Sequence, residues 1–389
     1  MFAGGALGAR PGRPPGRDGR RRAAIISAPS GSRRLGARSA PPRTPAPPTV
    51  SVIAADPLPL ALELMEIDST SGAEGAVVAL AERRLDERGW RVRRIPVTAG
   101  RDCLLATAGD APVATLSTHL DTVPPFIPPR VEGDRLYGRG ACDAKGIAAA
   151  MVCAGERLRD RGVPVALLFV VGEETCHDGA HAANASPLRP ASARVLVNGE
   201  PTESTLALGT KGALRFTVRT RGRAAHSAYP HLGDSATARL VEILGELDAL
   251  DLPTDELLGD TTVNIGMLAG GVADNVVAPW AEARLMARLV TDPESAFELF
   301  ARWVAGRGEV EEGVRVPPVR LGVVPGFPTS VAAFATDIPE LGAWGTPYLF
   351  GPGSIHVAHT DHEHVEIAEL RAAVGAYERI VELAVAAAR

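Results

Sequence analysis

Histidines and carboxylates recur in this chain at the ends of apolar runs. The segments are Ser117–Asp121 (STHLD), Gly140–Asp143 (GACD), Gly172–Glu174 (GEE), Asn198–Thr202 (NGEPT) and His359–Glu363 (HTDHE). Each lies where a hydrophobic stretch stops or just past it. In an open α/β sheet, that is where strands deliver side chains to a shared crevice outside their carboxyl ends. Imidazole and carboxylate together, without paired thiolates, suit zinc or a similar divalent ion. The order of the five segments is the one a two-metal hydrolase needs.

Taken one at a time, these residues have plainer readings. His119, after the run Val113–Ser117, could bind metal with Asp121 orienting its ring, yet most H-x-D pairs are surface or capping residues. Asp143 precedes a helix and could simply cap it. Glu173 and Glu174 close a very apolar strand, where adjacent carboxylates are costly unless a metal or protons compensate. One could ligate while the other serves as general base. Glu200 follows another strand, with Gly199 and Pro201 fixing the turn. The tract holding His356, His359, His362 and His364 needs to supply only one ligand.

The elements that must position these groups follow from periodicity. Leu58–Ile67 and Glu74–Gly89 read as helices. Arg91–Val97, Cys103–Ala108, Val113–His119, Val163–Val171 and Arg194–Asn198 read as strands. Lys145–Arg161 is an Ala-rich helix closed by Gly162, and a further helix begins at Asp178–Asn184. Strands alternating with helices imply an α/β sheet covered on both faces. The pattern then changes. Leu214–Thr220, Thr261–Leu268, Ala281–Val290 and Gly313–Leu321 read as strands, with helices over Ser235–Leu250 and Pro293–Ala305. That β-α-β-β-α-β order is ferredoxin-like. Residues 211–323 are expected to form a domain inserted into a catalytic domain of 54–210 and 324–389. The latter resumes with Tyr348–Phe350, the His-rich loop and a closing helix, Ile367–Ala388.

Composition sets outer bounds. A chain of 389 residues with 46% hydrophobic content can build two domains, and 4% aromatic content makes the cores aliphatic. No apolar run approaches the roughly 18–20 residues of a membrane span. Residues 1–50 hold ten Arg and one Asp, so the remainder carries 31 basic and 45 acidic residues, a net of −14. An acidic body argues against nucleic acid as partner. Residues 1–53 read as an unstructured Arg/Pro-rich leader or an over-extended start rather than an export signal, since the apolar part after Arg20–Arg22 is too short. Cys103, Cys142, Cys153 and Cys176 form no C-x-x-C pair and read as free thiols of a reducing cytoplasm.

Together, HLDTVP, YGRGACDAKG, GEET, NGEPT and AHTDHE, in that order, resemble one family. It is the metallopeptidase and amidohydrolase family of acetylornithine deacetylase, succinyl-diaminopimelate desuccinylase, aminoacylase and glutamate carboxypeptidase. The resemblance covers residues 56–389. It implies a zinc-exopeptidase-like α/β domain with a mixed central sheet and an inserted ferredoxin-like lid used for dimerisation. It implies two divalent ions, Zn2+ or alternatively Co2+ or Mn2+. His119 and Glu200 would hold one ion, Glu174 and His359 the other, and Asp143 would bridge them. Asp121 would support His119, and Glu173 would be the general base.

In Arg223–Pro230 (RAAHSAYP), the resemblance implies that His226 reaches across a homodimer interface to stabilise the oxyanion. Asn275, Arg288 and Gly353 would contact the substrate, the arginine through its two-pronged grip on a carboxylate. This chain has Met286 where the family often carries an acid two positions before that arginine. GEPT and GPGSIHVAHT look closest to acetylornithine deacetylase. The expected substrate is therefore an N-acyl amino acid, N-acetylornithine first, with succinyl-diaminopimelate or a short peptide as alternatives. A non-catalytic dimeric binding protein is the remaining reading from another class.

Overall fold

The computed structural model describes residues 56–388, so the leader assigned to 1–53 lies outside the described residues. Three strands form the heart of the larger layer: Ala114–His119, Val165–Val170 and Val195–Asn198. Every residue in them is buried. Near-continuous apolar strands of this kind require cover on both faces. They belong to a six-stranded sheet in the order Arg91–Thr98, Arg101–Ala108, Val165–Val170, Ala114–His119, Val195–Asn198, Thr346–Leu349. The last four run parallel, and the first two pair antiparallel, giving the expected mixed sheet.

Helix Lys145–Asp160 packs on Ala114–His119 and Val165–Val170, and against helix Ile367–Ala387, which reaches Val195–Asn198. Helices Gly75–Glu87 and Asp178–Ala185 pack on the antiparallel pair. Because the inner strands are parallel, His119, Gly172–Glu174 and Asn198–Glu200 all emerge at one end of the sheet. Asp143 arrives there at the start of helix Lys145–Asp160.

A second hydrophobic cluster lies under a four-stranded antiparallel sheet in the order Thr262–Gly270, Trp280–Leu289, Gly212–Arg221, Glu309–Val316. With helices Ala236–Gly245 and Pro293–Val304, the chain order is the ferredoxin-like β-α-β-β-α-β. One face of this sheet buries Leu214, Phe216, Val218, Ala283, Leu285 and Leu289 against Leu240, Ile243, Phe300 and Trp303. Ser235 and Asp292 cap the two helices by accepting from the N–H of Ala238 and Ser295. The other face carries Arg215, Met286 and Arg288.

Several elements depart from the periodicity reading. The last strand of this sheet is Glu309–Val316, not Gly313–Leu321. Its sequence, EVEEGVRV, is largely exposed and so shows little apolar alternation, and Pro317–Pro318 then stops it. The helix expected to Leu250 ends at Gly245, followed by a 3-10 turn, Leu247–Ala249. Short strands were invisible to pattern. Leu206–Thr210 pairs with Val319–Arg320 and Thr329–Ala332, and Arg130–Glu132, Arg135–Tyr137 and His364–Glu366 make a small sheet.

Candidate metal centre and active-site cleft

Two clusters of ligating side chains meet at the carboxyl ends of the parallel strands. One is His119, Asp143 and Glu200; the other is Asp143, Glu174 and His359. In each, the candidate ligand atoms lie within 4.8 Å of one another. Asp143 belongs to both. Its Oδ1 is 2.9 Å from His119 Nε2, and its Oδ2 is 3.2 Å from His359 Nε2. Glu174 lies 3.0 Å from His359 Nε2, and Glu200 Oε1 lies 3.9 Å from His119 Nε2.

The electrostatics call for cations. Burial pushes the carboxyls of Glu200 and Glu174 up, with neighbouring acids adding to the effect. Glu200 Oε1 is buried with no hydrogen-bond partner among the described residues. Asp143 and Glu174 hold the His359 imidazolium, pushing its pKa up to about 10. Burial opposes the charge on His119, but Asp121 and Asp143 outweigh it and raise that ring as well. A divalent ion in each cluster would supply the positive charge now demanded of the histidines and leave them neutral as ligands. The donor set of imidazole nitrogens and carboxylate oxygens fits zinc, cobalt or manganese.

The supports are local. His119 Nδ1 lies 2.9 Å from the main-chain carbonyl of Asp121 and 3.6 Å from its carboxylate. The Asp121 carboxylate accepts from Ser71 Oγ at 2.7 Å and from the N–H groups of Glu173 and Glu174, each at 3.2 Å. It therefore fixes the turn that presents both glutamates, besides flanking His119. Gly172, at φ +76°, makes that turn, and a Cβ there would run into Asp178.

Glu173 faces a cleft of about 350 Å³ that is lined by Asp143, Glu174, Glu200 and His359 from one side and by Arg215, Met286 and Arg288 from the other. Burial, followed by the charges of Asp337, Glu174 and Asp121 against the pull of His119, raises the Glu173 carboxyl well above its ordinary range.

The other expected residues fall in different places. Arg288 lines the cleft. His226 and Asn275 do not. They sit together on an exposed loop pair, where the Ser227 N–H donates to the Asn275 carbonyl at 3.0 Å and His226 bridges to Val276. His226 Nδ1 accepts from the Ala228 N–H at 3.1 Å, and the residue is exposed. Gly353 is buried outside the cleft lining at φ +82°, where a Cβ would meet that of Cys142 at 2.5 Å. His356, His362 and His364 belong to neither ligand cluster.

Pattern missed three features. Arg215 sits on the same sheet face as Arg288, at an alternating strand position that could have suggested it. His177 lines the cleft, and its Nδ1 is 2.7 Å from Asp337 Oδ1, 160 residues away in sequence, with Glu173 beside the pair. Arg139 and Glu363 form a buried ion pair beneath Asp143. Asp337 carried no local signal; Arg139 and Glu363 lay within YGRGACDAKG and AHTDHE, but nothing local paired them.

The model of Peptidase family M20/M25/M40 matches residues 115–383. A probable carboxypeptidase of Aspergillus clavatus is 38% identical over 366 residues, covering 83% of this chain and 81% of the relative. This chain belongs to peptidase family M20/M25/M40.

The fold agrees. A tripeptidase from Staphylococcus aureus superposes with a TM-score of 0.70 at 22% identity, covering 85% of this chain and 98% of that one. An M20 family metallo-carboxypeptidase from Sulfolobus solfataricus gives 0.69 at 20%, covering 85% and 99%. As an M20 peptidase, the chain is a metal-dependent hydrolase of amide or peptide bonds. Among the described residues, no helix is long and apolar enough to cross a membrane.

Proposed function

We propose that this M20 chain uses two divalent ions to cleave the amide on the amino side of a residue whose carboxylate is free. The observation that carries this reading is the pair of ligand clusters sharing Asp143, with Glu173 on the cleft wall and Arg288 facing them. N-acyl amino acids and short peptides cut by a carboxypeptidase share that bond. The name of the Aspergillus relative favours the carboxypeptidase form over N-acetylornithine, the substrate first expected.

The ions would polarise the scissile carbonyl and make water a better nucleophile at neutral pH. Glu173, not counted among the ligands, takes the water's proton and passes it to the leaving nitrogen, which departs as an amine while the acyl carbon keeps the water oxygen. Arg288 binds the free carboxylate, which sets the distance from that group to the bond cut.

Residues 54–210 with 324–389 are read as the catalytic domain and 211–323 as a lid that dimerises. In support, strand Thr262–Gly270 is a sheet edge exposing Ile265, Met267 and Leu268 at 37%, 60% and 64%. An apolar edge of that kind is a pairing surface for a second copy. His226 and Asn275, exposed and outside their own chain's cleft, would then serve the partner's site, His226 at the oxyanion and Asn275 at the substrate. Four free cysteines support a reducing, cytoplasmic setting.

The test is a hydrolysis screen of metal-stripped and metal-restored protein with N-acetyl amino acids, N-succinyl amino acids and dipeptides, each with a free or an amidated carboxyl terminus. Metal-dependent turnover of the free acids is expected, with loss on chelation. Equal turnover of the amidated forms would remove the carboxylate role. Absence of turnover with metal bound would favour a non-catalytic binding protein.

A further inference from the structure

We infer that Arg215 makes the cleft selective for a residue with a second carboxylate on its side chain, so that the substrate is an N-acyl or peptidyl glutamate or aspartate. This deepens the proposed hydrolysis and rests on it for the position of the α-carboxylate at Arg288.

The inference starts from two arginines on the cleft, the exposed Arg215 and the half-buried Arg288. In the register of strands Gly212–Arg221 and Trp280–Leu289, Arg215 is opposite Met286, and Arg288 is opposite Ala213. The two guanidinium-bearing side chains are therefore diagonal neighbours on one sheet face, roughly 7–8 Å apart at the backbone. Neighbouring arginines on this sheet are neutralised: Arg219 by Glu282 and Glu311, Arg284 by Glu282, and Arg315 by Glu312. Arg215 and Arg288 have no ion-pair partner among the described residues, and both line the cleft. Burial, then the Arg215 charge, disfavour the charged form of Arg288, with Glu173 pulling the other way. Two like charges held side by side facing a binding cavity are stabilised when a ligand brings the counter-charge.

The surroundings narrow the ligand. On this face Met286 sits opposite Arg215 and Ala213 opposite Arg288, and with Val314 and Val316 of the next strand they line the cleft as an apolar strip. A short aliphatic chain with a carboxylate at each end matches this arrangement, its methylenes on the strip and its two anionic ends on the two arginines. A cationic side chain such as that of ornithine would meet Arg215 instead. Arg215 also borders an adjoining groove of about 370 Å³, whose Glu311 and Glu312 are occupied by Arg219 and Arg315. Its guanidinium has no ionic partner on that side among the described residues.

The test compares N-acetyl-glutamate with N-acetyl-glutamine on the metal-loaded protein, alongside calorimetric binding of the products L-glutamate and L-glutamine. A hydrogen bond to a charged group contributes enough for a preference of about 10- to 100-fold. The wild type should favour glutamate by that factor in kcat/KM, mostly through KM, and bind L-glutamate more tightly. In Arg215→Gln, the ratio should collapse toward one, and in Arg215→Glu it should fall below one. No preference in the wild type, or equal losses on both substrates in Arg215→Gln with the ratio intact, would overturn the inference; the latter would mean both arginines share one carboxylate. Arg215-dependent binding of L-glutamate without hydrolysis would keep the inference and remove the hydrolytic reading. Hydrolysis without glutamate preference would do the reverse.

Discussion

Arg139 and Glu363, 224 residues apart, meet in a buried ion pair at 2.6 Å, and the second oxygen of Glu363 accepts the N–H groups of Gly140, Cys142 and Asp143 at 2.9, 3.3 and 3.3 Å. The carboxylate thereby locks the loop that delivers Asp143, the residue common to both ligand clusters. It also ties that loop to the segment carrying His359, so both candidate ligand clusters depend on one contact.

Glu363→Gln should leave Arg139 buried without a counter-charge, at a cost on the order of 3–5 kcal/mol, read as a lower denaturation midpoint. Metal affinity should fall with it. The double variant Arg139→Met/Glu363→Leu should regain part of the stability, because apolar residues of similar size remove the unpaired buried charge, but not the metal affinity, because leucine offers the loop N–H groups no acceptor. Recovery of both would show that the pair serves stability alone.

Glu173→Gln should retain metal and lose turnover by about 100- to 10,000-fold, the range for a general acid–base group. Metal content by atomic emission and kcat on the best substrate are the two measurements. Near-normal kcat would reassign the base.

His226→Ala should lower kcat by roughly 100- to 1,000-fold with metal content and dimerisation intact, as for the loss of one oxyanion donor. Its exposed position outside its own cleft makes a sharper test available. A Glu173→Gln subunit mixed with a His226→Ala subunit yields a heterodimer with one site that has both groups intact. Partial recovery on mixing is expected. If subunit exchange is verified and no activity returns, His226 does not act in trans.

His177 supplies a pH dependence. Burial works against its protonated form, but the hydrogen bond to Asp337 and that carboxylate's charge outweigh it, raising the folded-state pKa above 6.5. A group that binds its proton more tightly when folded contributes stability fully below its unfolded pKa, and loses it as pH rises through the folded one. Urea midpoints should therefore decline from pH 6.5 upward through the raised value. Asp337→Asn should flatten that decline and lower the His177 titration seen by NMR. An unchanged slope in the variant would assign the dependence elsewhere.

The sequence by itself determined the strands that carry the chemistry and the residues at their ends. Val165–Val170 and Ala114–His119 are apolar because the sheet buries both their faces, and a run that must stop at a polar crevice marks that crevice. His119, Asp143, Glu200, the Glu173–Glu174 pair and the His-rich tract were therefore legible as candidates from position and type, and the resemblance chose Glu174 and His359 among them and sorted the set into two clusters. The β-α-β-β-α-β order was legible too, because its two inner strands and both helices bury one face and leave a period behind.

Tertiary structure alone decided what depended on distant pairing. Glu363 finds Arg139, His177 finds Asp337, and Arg215 comes beside Arg288 only once strands far apart in the chain take up their register. No local period records such juxtapositions, because each joins residues dozens or hundreds of positions apart. The exposed short strands were hidden for a related reason. A segment such as Glu309–Val316 is held by backbone hydrogen bonds to a neighbour, and that bonding leaves no mark on its side-chain pattern.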